Sequence, residues 1–251
     1  MNEGRNIRMV VAYDGRNYHG WQRQKGATTV QGVLEEGIQR MTGHPVTLIA
    51  SGRTDAGVHA LHQVCHFMTR SSLDPKAIRR GLNALTPADI YIKETADAPL
   101  DFHARYSAVS KTYEYRVLNR EHPDVFLRFY TWHIPLELDL AQMQACLPML
   151  VGRHDFSSFR SSGSGKTDPV RHMMRAELHQ AEEGILKFIF VADGFLRHMV
   201  RNIVGTLMDV GLGKIGADGF LKILHGRDRR LAGIKAPPQG LFLTMVHYGS
   251  P

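Results

Sequence analysis

The chain has 251 residues, 43% hydrophobic and 22% charged, which is ample for a real core and fits one large domain or two of ordinary size. A net charge of +7 points to a polyanionic partner, nucleic acid or an anionic membrane surface, with an ordinary solvated basic surface as the bland alternative. Two cysteines, Cys65 and Cys146, exclude a disulfide framework, and no apolar run is long enough to span a bilayer. The polar start Met-Asn-Glu-Gly-Arg-Asn is no signal peptide, so a cytoplasmic protein is expected.

Ile7 to Tyr13 reads as a first strand, closed by the turn dipeptide Asp14-Gly15. The loop Arg16–Lys25 comes next, with two aromatics, Tyr18 and Trp21, among three basic residues. That mixture suits contact with phosphates and bases, or simply a loop with a packed Trp. Thr29 is placed to cap a helix with Val30, Leu34, Ile38 and Met41 at helical spacing, ended by Gly43. Pro45–Ala50 and Gln63–Phe67 read as strands. Asp74-Pro75 opens a second helix as cap and first residue, with Ile78, Leu82 and Leu85 inward, and Ile90–Glu94 is a further strand. Strand, helix, strand, strand, helix, strand is the split βαβ order of a ferredoxin-like unit.

The second half repeats the theme. Ala108–Leu118 reads as a strand, and Asp139 caps a helix with Leu140, Met143, Leu147 and Leu150 inward. Arg175–His179 and Ile185–Val191 form a hairpin around Glu183-Gly184. Leu196–Val210 and Ala217–Leu224 read as helices, and Leu241–His247 as a closing strand. The expected fold is α+β: two ferredoxin-like halves, 1–105 and 106–251, with mainly antiparallel sheets joined side by side and an active cleft between them. Cys65 and Cys146 fall in strand and helix patterns as small core residues.

The stretch Ser51-Gly-Arg-Thr-Asp-Ala-Gly-Val-His-Ala60 joins two strands. Gly52 and Gly57 bracket Asp55, and Arg53, two residues earlier, can project to the same side and favour an ionised carboxylate. An acid there is either a turn former bonding its own backbone or a reactive carboxylate held on a tight loop. In the strand Lys111-Thr-Tyr-Glu-Tyr115, Lys111, Tyr113 and Tyr115 share a face, so Tyr113 either packs across the sheet or stacks on a displaced base. Arg197 and Arg201 fall one helical turn apart, opposite Met199, Ile203 and Met208, which on pattern alone reads as a solvated edge.

Three patterns are refused. Gly211-Leu-Gly-Lys-Ile-Gly216 has the letters of a dinucleotide fingerprint but comes after a helix, and Gly211 reads better as a helix C-cap. Gly165-Lys166-Thr167 ends like a phosphate-binding loop, but the required first glycine falls on Arg160, and Asp168-Pro169 stands where a helix should begin. His59, His62 and His66 lie in a strand pattern that puts His62 and His66 on one face and breaks the triad, so no metal site is expected.

The string Gly52-Arg-Thr-Asp-Ala-Gly-Val-His59 resembles, residue for residue, the active-site loop of the tRNA pseudouridine synthase A family. Tyr18-His-Gly-Trp-Gln-Arg-Gln24, Thr29-Val-Gln-Gly-Val-Leu-Glu35, Asp101-Phe-His-Ala-Arg105, His154-Asp-Phe-Ser-Ser-Phe159, His198-Met-Val-Arg-Asn-Ile-Val-Gly205 and Ala236-Pro-Pro-Gln-Gly-Leu241 look like further family signatures in family order. The resemblance implies an isomerase that converts uridine to pseudouridine at positions 38, 39 and/or 40 of the tRNA anticodon stem-loop, without cofactor or metal, as a cytoplasmic homodimer away from membranes. It implies Asp55 as the catalytic residue, Tyr113 as the base-stacking tyrosine, and Arg53, Arg201 and Leu241 as further substrate-binding residues. Phe102 and His103 receive no role. The competing expectation is a non-catalytic RNA-binding module with two aromatic sheet faces, which explains Tyr113, Tyr115 and the charge but leaves the Arg53–Asp55 loop without purpose.

Overall fold

The structure, a computed structural model, describes residues 4–163 and 168–249. In chain order the strands and α-helices are β1 (Arg5–Tyr13), α1 (Val30–Thr42), β2 (Ile49–Ala50), β3 (His59–Thr69), α2 (Pro75–Leu85), β4 (Ile90–Ala98), β5 (Ala108–Asn119), β6 (Trp132–Ile134), α3 (Leu140–Cys146), β7 (Gly152–Asp155), β8 (Val170–Gln180), β9 (Ile185–Ala192), α4 (Met199–Gly211), α5 (Ala217–Gly226) and β10 (Leu241–Tyr248). The fold is mixed α+β and mostly antiparallel, as expected. Two compact units emerge, Met1–Val109 with Phe242–Pro251, and Ser110–Leu241. The division thus falls at Val109 rather than Arg105, and the last strand goes with the first unit, because Phe242 and Leu243 pair in parallel with His59 and Ala60 of β3.

In the first unit β1 pairs antiparallel with both β3 and β4, and β2 with β3, the β4-β1-β3-β2 order of a ferredoxin-like sheet. The caps form as their residues dictate. Thr29 Oγ1 accepts from Gly32 N at 3.3 Å, Asp74 Oδ1 from Lys76 N at 2.8 Å, and Gly43 closes α1 at φ 77°. Val30, Leu34 and Ile38 are buried beneath α1, and Ile78 and Leu82 beneath α2. Met41, only half-buried, fills the space over Gly81, where a Cβ would meet its Cε at 2.2 Å.

The strand expected from Pro45 shrinks to Ile49–Ala50. The physical reason is a buried carboxylate on α1: Leu48 N donates to Glu35 Oε1 at 2.9 Å instead of to a neighbouring strand. Pro45 has no N–H to offer a ladder at all.

In the second unit β5 pairs antiparallel with β9, β9 with β8 and β8 with β7, giving the order β5-β9-β8-β7. The turn into β9 carries Glu183 and Gly184 at φ 58° and 77°. β6, parallel to β5, and β7 escape the sequence pattern, because three and four residues are too few for alternation to register. Cys65 and Cys146 are buried free thiols. The helix expected from Leu196 starts at Met199, after His198 takes the left-handed conformation at φ 61°. Arg197 therefore lies outside the helix, donating to Ser162 O at 2.7 Å, and does not stand one helical turn from Arg201 as expected.

Gly211 is the last residue of α4 rather than its cap. The left-handed conformation belongs to Gly213 at φ 69°, while a Cβ on Gly211 would meet Met143 Sδ at 2.5 Å, so the glycine serves close packing of α3. The Gly165-Lys166-Thr167 segment lies outside the described residues. The element that comes after it is a strand, β8, where a phosphate-binding loop would lead into a helix. Among the described residues no helix is long and apolar enough to cross a membrane.

Candidate active site

The loop 51–58 lies between β2 and β3 and is held from its own strand and from a second loop. Ser51 N donates to Val64 O at 2.8 Å and its hydroxyl to Gln63 Oε1 at 2.7 Å, while Gln63 Nε2 donates to Gly52 O at 2.9 Å. Ser51 and Gln63 are both fully buried, so these bonds form where water cannot compete. Val58 N closes a turn onto Asp55 O at 3.2 Å, and Gly57 supplies the bend at φ 77°. The turn is thus closed through the backbone, with glycine at its bend. Asp55 is half-buried and Arg53 is exposed.

The second loop, 14–23, lies backbone to backbone against this one. Trp21 N donates to Thr54 O at 3.1 Å, Gly57 N to Tyr18 O at 3.3 Å, and Tyr13 OH shares a hydrogen with Thr54 Oγ1 at 2.8 Å. Two glycines permit the approach. A Cβ on Gly15 would stand 1.9 Å from Val58 O, and one on Gly20, which sits at φ 89°, 2.7 Å from Thr54 O. The loop is itself anchored: Arg23 N donates to Gln31 Oε1 at 2.9 Å, Gln31 Nε2 to Glu35 Oε1 at 2.8 Å, and the Arg23 guanidinium lies 3.1 Å from Glu35. Of the two readings of this loop, Trp21 packs, at 1% exposure. Burial pushes the Tyr13 hydroxyl's pKa far above its ordinary value, keeping it a neutral hydrogen-bonding group.

Phe102 and His103 lie on the β3 side of the same unit. The rings of His66 and His103 are 5.0 Å apart, His103 stacks on Tyr106 at 4.3 Å, and Phe102 sits 5.2 Å from Tyr248. His66 Nδ1 accepts from Ala104 N at 3.1 Å, and burial, with the charge of His103 adding to it, holds its pKa below the ordinary imidazole value. His59 Nδ1 accepts from Gly15 N at 3.1 Å. Among the described residues no group of three or more His, Cys, Asp or Glu could hold a metal ion.

In the second unit Tyr113 is paired across the sheet with Phe190, is 7% exposed, and meets Phe195 edge-on at 4.9 Å. Tyr115 is fully buried and donates to Pro237 O at 2.7 Å. Arg201 is no solvated edge. It is 6% exposed, and its Nε donates to Ala236 O at 2.7 Å. Leu241, buried, comes at the end of that same segment. The structure therefore brings Arg53, Asp55 and the 14–23 loop together in one unit, and Tyr115, Arg201 and residues 236–241 together in the other. Sequence patterns alone did not reveal Gly15, Gly20, Thr54 and Gln63 as supports of the Asp55 loop. Asp14-Gly15 signalled a turn but not what the turn would touch.

A sequence model described as tRNA pseudouridine synthase matches residues 9–107 and 147–249. The chain belongs to that family. The matched segments contain Arg53, Asp55, Arg201 and Leu241, while Tyr113 falls between them. Similar relatives include tRNA pseudouridine synthase A of Acetivibrio thermocellus, 47% identical over 244 residues that cover 97% of this chain and 100% of the relative. The enzyme of the same name from a Thermoanaerobacter species is 46% identical over 97% of this chain and 100% of its own length. That of a Geobacillus species is 44% identical over 96% and 98%.

Proposed function

We propose that the protein isomerises uridine to pseudouridine in tRNA, at positions 38, 39 and/or 40 of the anticodon stem-loop. The single observation that carries this reading is Asp55. It is one half-buried carboxylate on a loop whose turn is closed through the backbone and whose position is fixed by buried bonds and two backbone contacts at glycine.

The reaction breaks the bond from C1′ to N1 of uracil, turns the base, and joins C5 to C1′, with the C5 proton leaving and N1 gaining one. Atoms and electrons balance without an oxidant, so a cofactor-free enzyme suffices. A carboxylate at a fixed position serves attack at C1′, attack at C6, or removal of the C2′ proton. The base must leave its stack to be reached, and Arg53, exposed beside Asp55, suits the vacated place. Tyr113 is assigned to stack on the base, Arg201 and Leu241 to contact the substrate. The basic surplus holds phosphates and makes binding fall with salt. A cytoplasmic homodimer completes the proposal.

The test is release of tritium from unmodified tRNA carrying uridine labelled at C5, with mapping of the product. Release with pseudouridine at one or more of positions 38, 39 and 40 supports the reading. Tight tRNA binding with no release would leave an RNA-binding module as the better account.

A further inference from the structure

We infer that residues 233–240 act as a strap that orients the Arg201 guanidinium, and that Tyr115 is a positioning residue which holds the strap in place. The inference rests on the proposed assignment of Arg201 to substrate contact.

Arg201 and the strap are clasped in both directions. Ala236 N donates to Arg201 O at 3.1 Å, and Arg201 Nε donates to Ala236 O at 2.7 Å. One short residue thus pins both the backbone and the head group of the arginine, and Ala236 is fully buried. A planar guanidinium bonded through Nε has that N–H aimed at the carbonyl, which limits how the head group can swing. The first half of the strap is pressed onto α4. A Cβ on Gly205 would lie 1.7 Å from Ile234 O, one on Gly233 2.9 Å from Gly205 O, and Gly233 N donates to Thr206 Oγ1 at 3.0 Å.

The next carbonyl along, Pro237 O, accepts from Tyr115 OH at 2.7 Å. Tyr115 is fully buried, and desolvation pushes its pKa well above the ordinary phenol value, so it stays a donor at any working pH. Gly240 then crosses the Tyr115 ring so closely that a Cβ there would stand 2.8 Å from ring carbons and 2.7 Å from Arg116 O. The strap therefore rests on Tyr115 at both Pro237 and Gly240, with Ala236, the residue that holds Arg201, adjacent to the first rest. Tyr115 touches the arginine's support rather than any reacting atom.

The experiment measures kcat and KM for tRNA in Tyr115→Phe, Arg201→Lys and the double variant, with amide exchange at Ala236. Tyr115→Phe should lower kcat about tenfold, since small misplacements of a binding group are costly in rate. Its KM should stay within about twofold, and Ala236 N–H should exchange faster. In the Arg201→Lys background the tyrosine change should add nothing, because its effect passes through the arginine. Gly240→Ala reaches the same rest from the other side and should reproduce the kcat loss and the non-additivity, which keeps the test open if Tyr115→Phe folds poorly. Multiplicative losses in the double variant, or wild-type kcat in Tyr115→Phe or in Gly240→Ala beside an impaired Arg201→Lys, would overturn the strap with the arginine's role intact. Wild-type kinetics in Arg201→Lys would instead remove the assignment on which the strap rests.

Discussion

Gly15→Ala tests whether the 14–23 loop positions Asp55. The added Cβ would lie 1.9 Å from Val58 O, 2.6 Å from Val58 C and 3.1 Å from Val58 N, all backbone atoms that no rotamer change can clear. Ordinary contact begins near 3.4 Å, so one loop must give by about 1.5 Å. Val58 closes the turn onto Asp55 O at 3.2 Å, and the displacement passes directly to the carboxylate's backbone. Overpacking of this kind costs about 1–3 kcal/mol of stability, and a misplacement of about 1 Å costs roughly 10²-fold in rate. A control is at hand in Gly26→Ala. Gly26, unlike Gly15, has positive φ, at 76°, and nothing lies within 4 Å of its Cβ position, so the expected loss is about 1–2 kcal/mol of stability from backbone strain with the rate intact. Single-turnover tritium release and urea melts on both variants separate the two effects. Wild-type turnover in Gly15→Ala would refute the positioning argument, as would equal rate losses in the two variants.

The folded-state pKa of His66 is depressed by burial, so the unfolded chain binds the proton more readily and stability should fall as pH drops through about 6.5, levelling off below the folded value. Thermal melts from pH 8 to 5 should show a slope that flattens in His66→Gln, and an unchanged slope would remove His66 from the account. Turnover should persist with EDTA and no added nucleotide, whereas loss that zinc or ATP restores would contradict a cofactor-free isomerase. Light scattering at micromolar concentration should report a dimer of the 28.2 kDa chain, and a monomer alone would refute that part of the proposal.

Local signals carried the caps and the helices they begin. Thr29, Gly43 and Asp74 each satisfy or release backbone groups within a few residues, so their effect is visible without a tertiary context. β2 was overestimated because Glu35, thirteen residues before Leu48, takes the hydrogen bond that a ladder would have used. The start of α4 was misjudged because a left-handed His198 has no local signature, and the burial of Arg201 escaped the helical pattern because Ala236 O, which it bonds, lies 35 residues away. The Asp55 loop was legible from its unbroken string of residues. Its buttress was not, since Gly15 and Gly20 matter only through Val58 and Thr54.

The measurement closest to the central claim is tritium release from C5-labelled uridine in unmodified tRNA by Asp55→Asn. Asparagine keeps the size and turn preference of the side chain but lacks the charge and the nucleophilic oxygen. Because the turn is closed by Val58 N on the Asp55 carbonyl, the variant should melt within a few degrees of wild type and still bind tRNA. The account predicts no release above background. Pseudouridine formed at more than a trace rate by the folded Asp55→Asn protein would contradict the assignment of Asp55 as the catalytic residue.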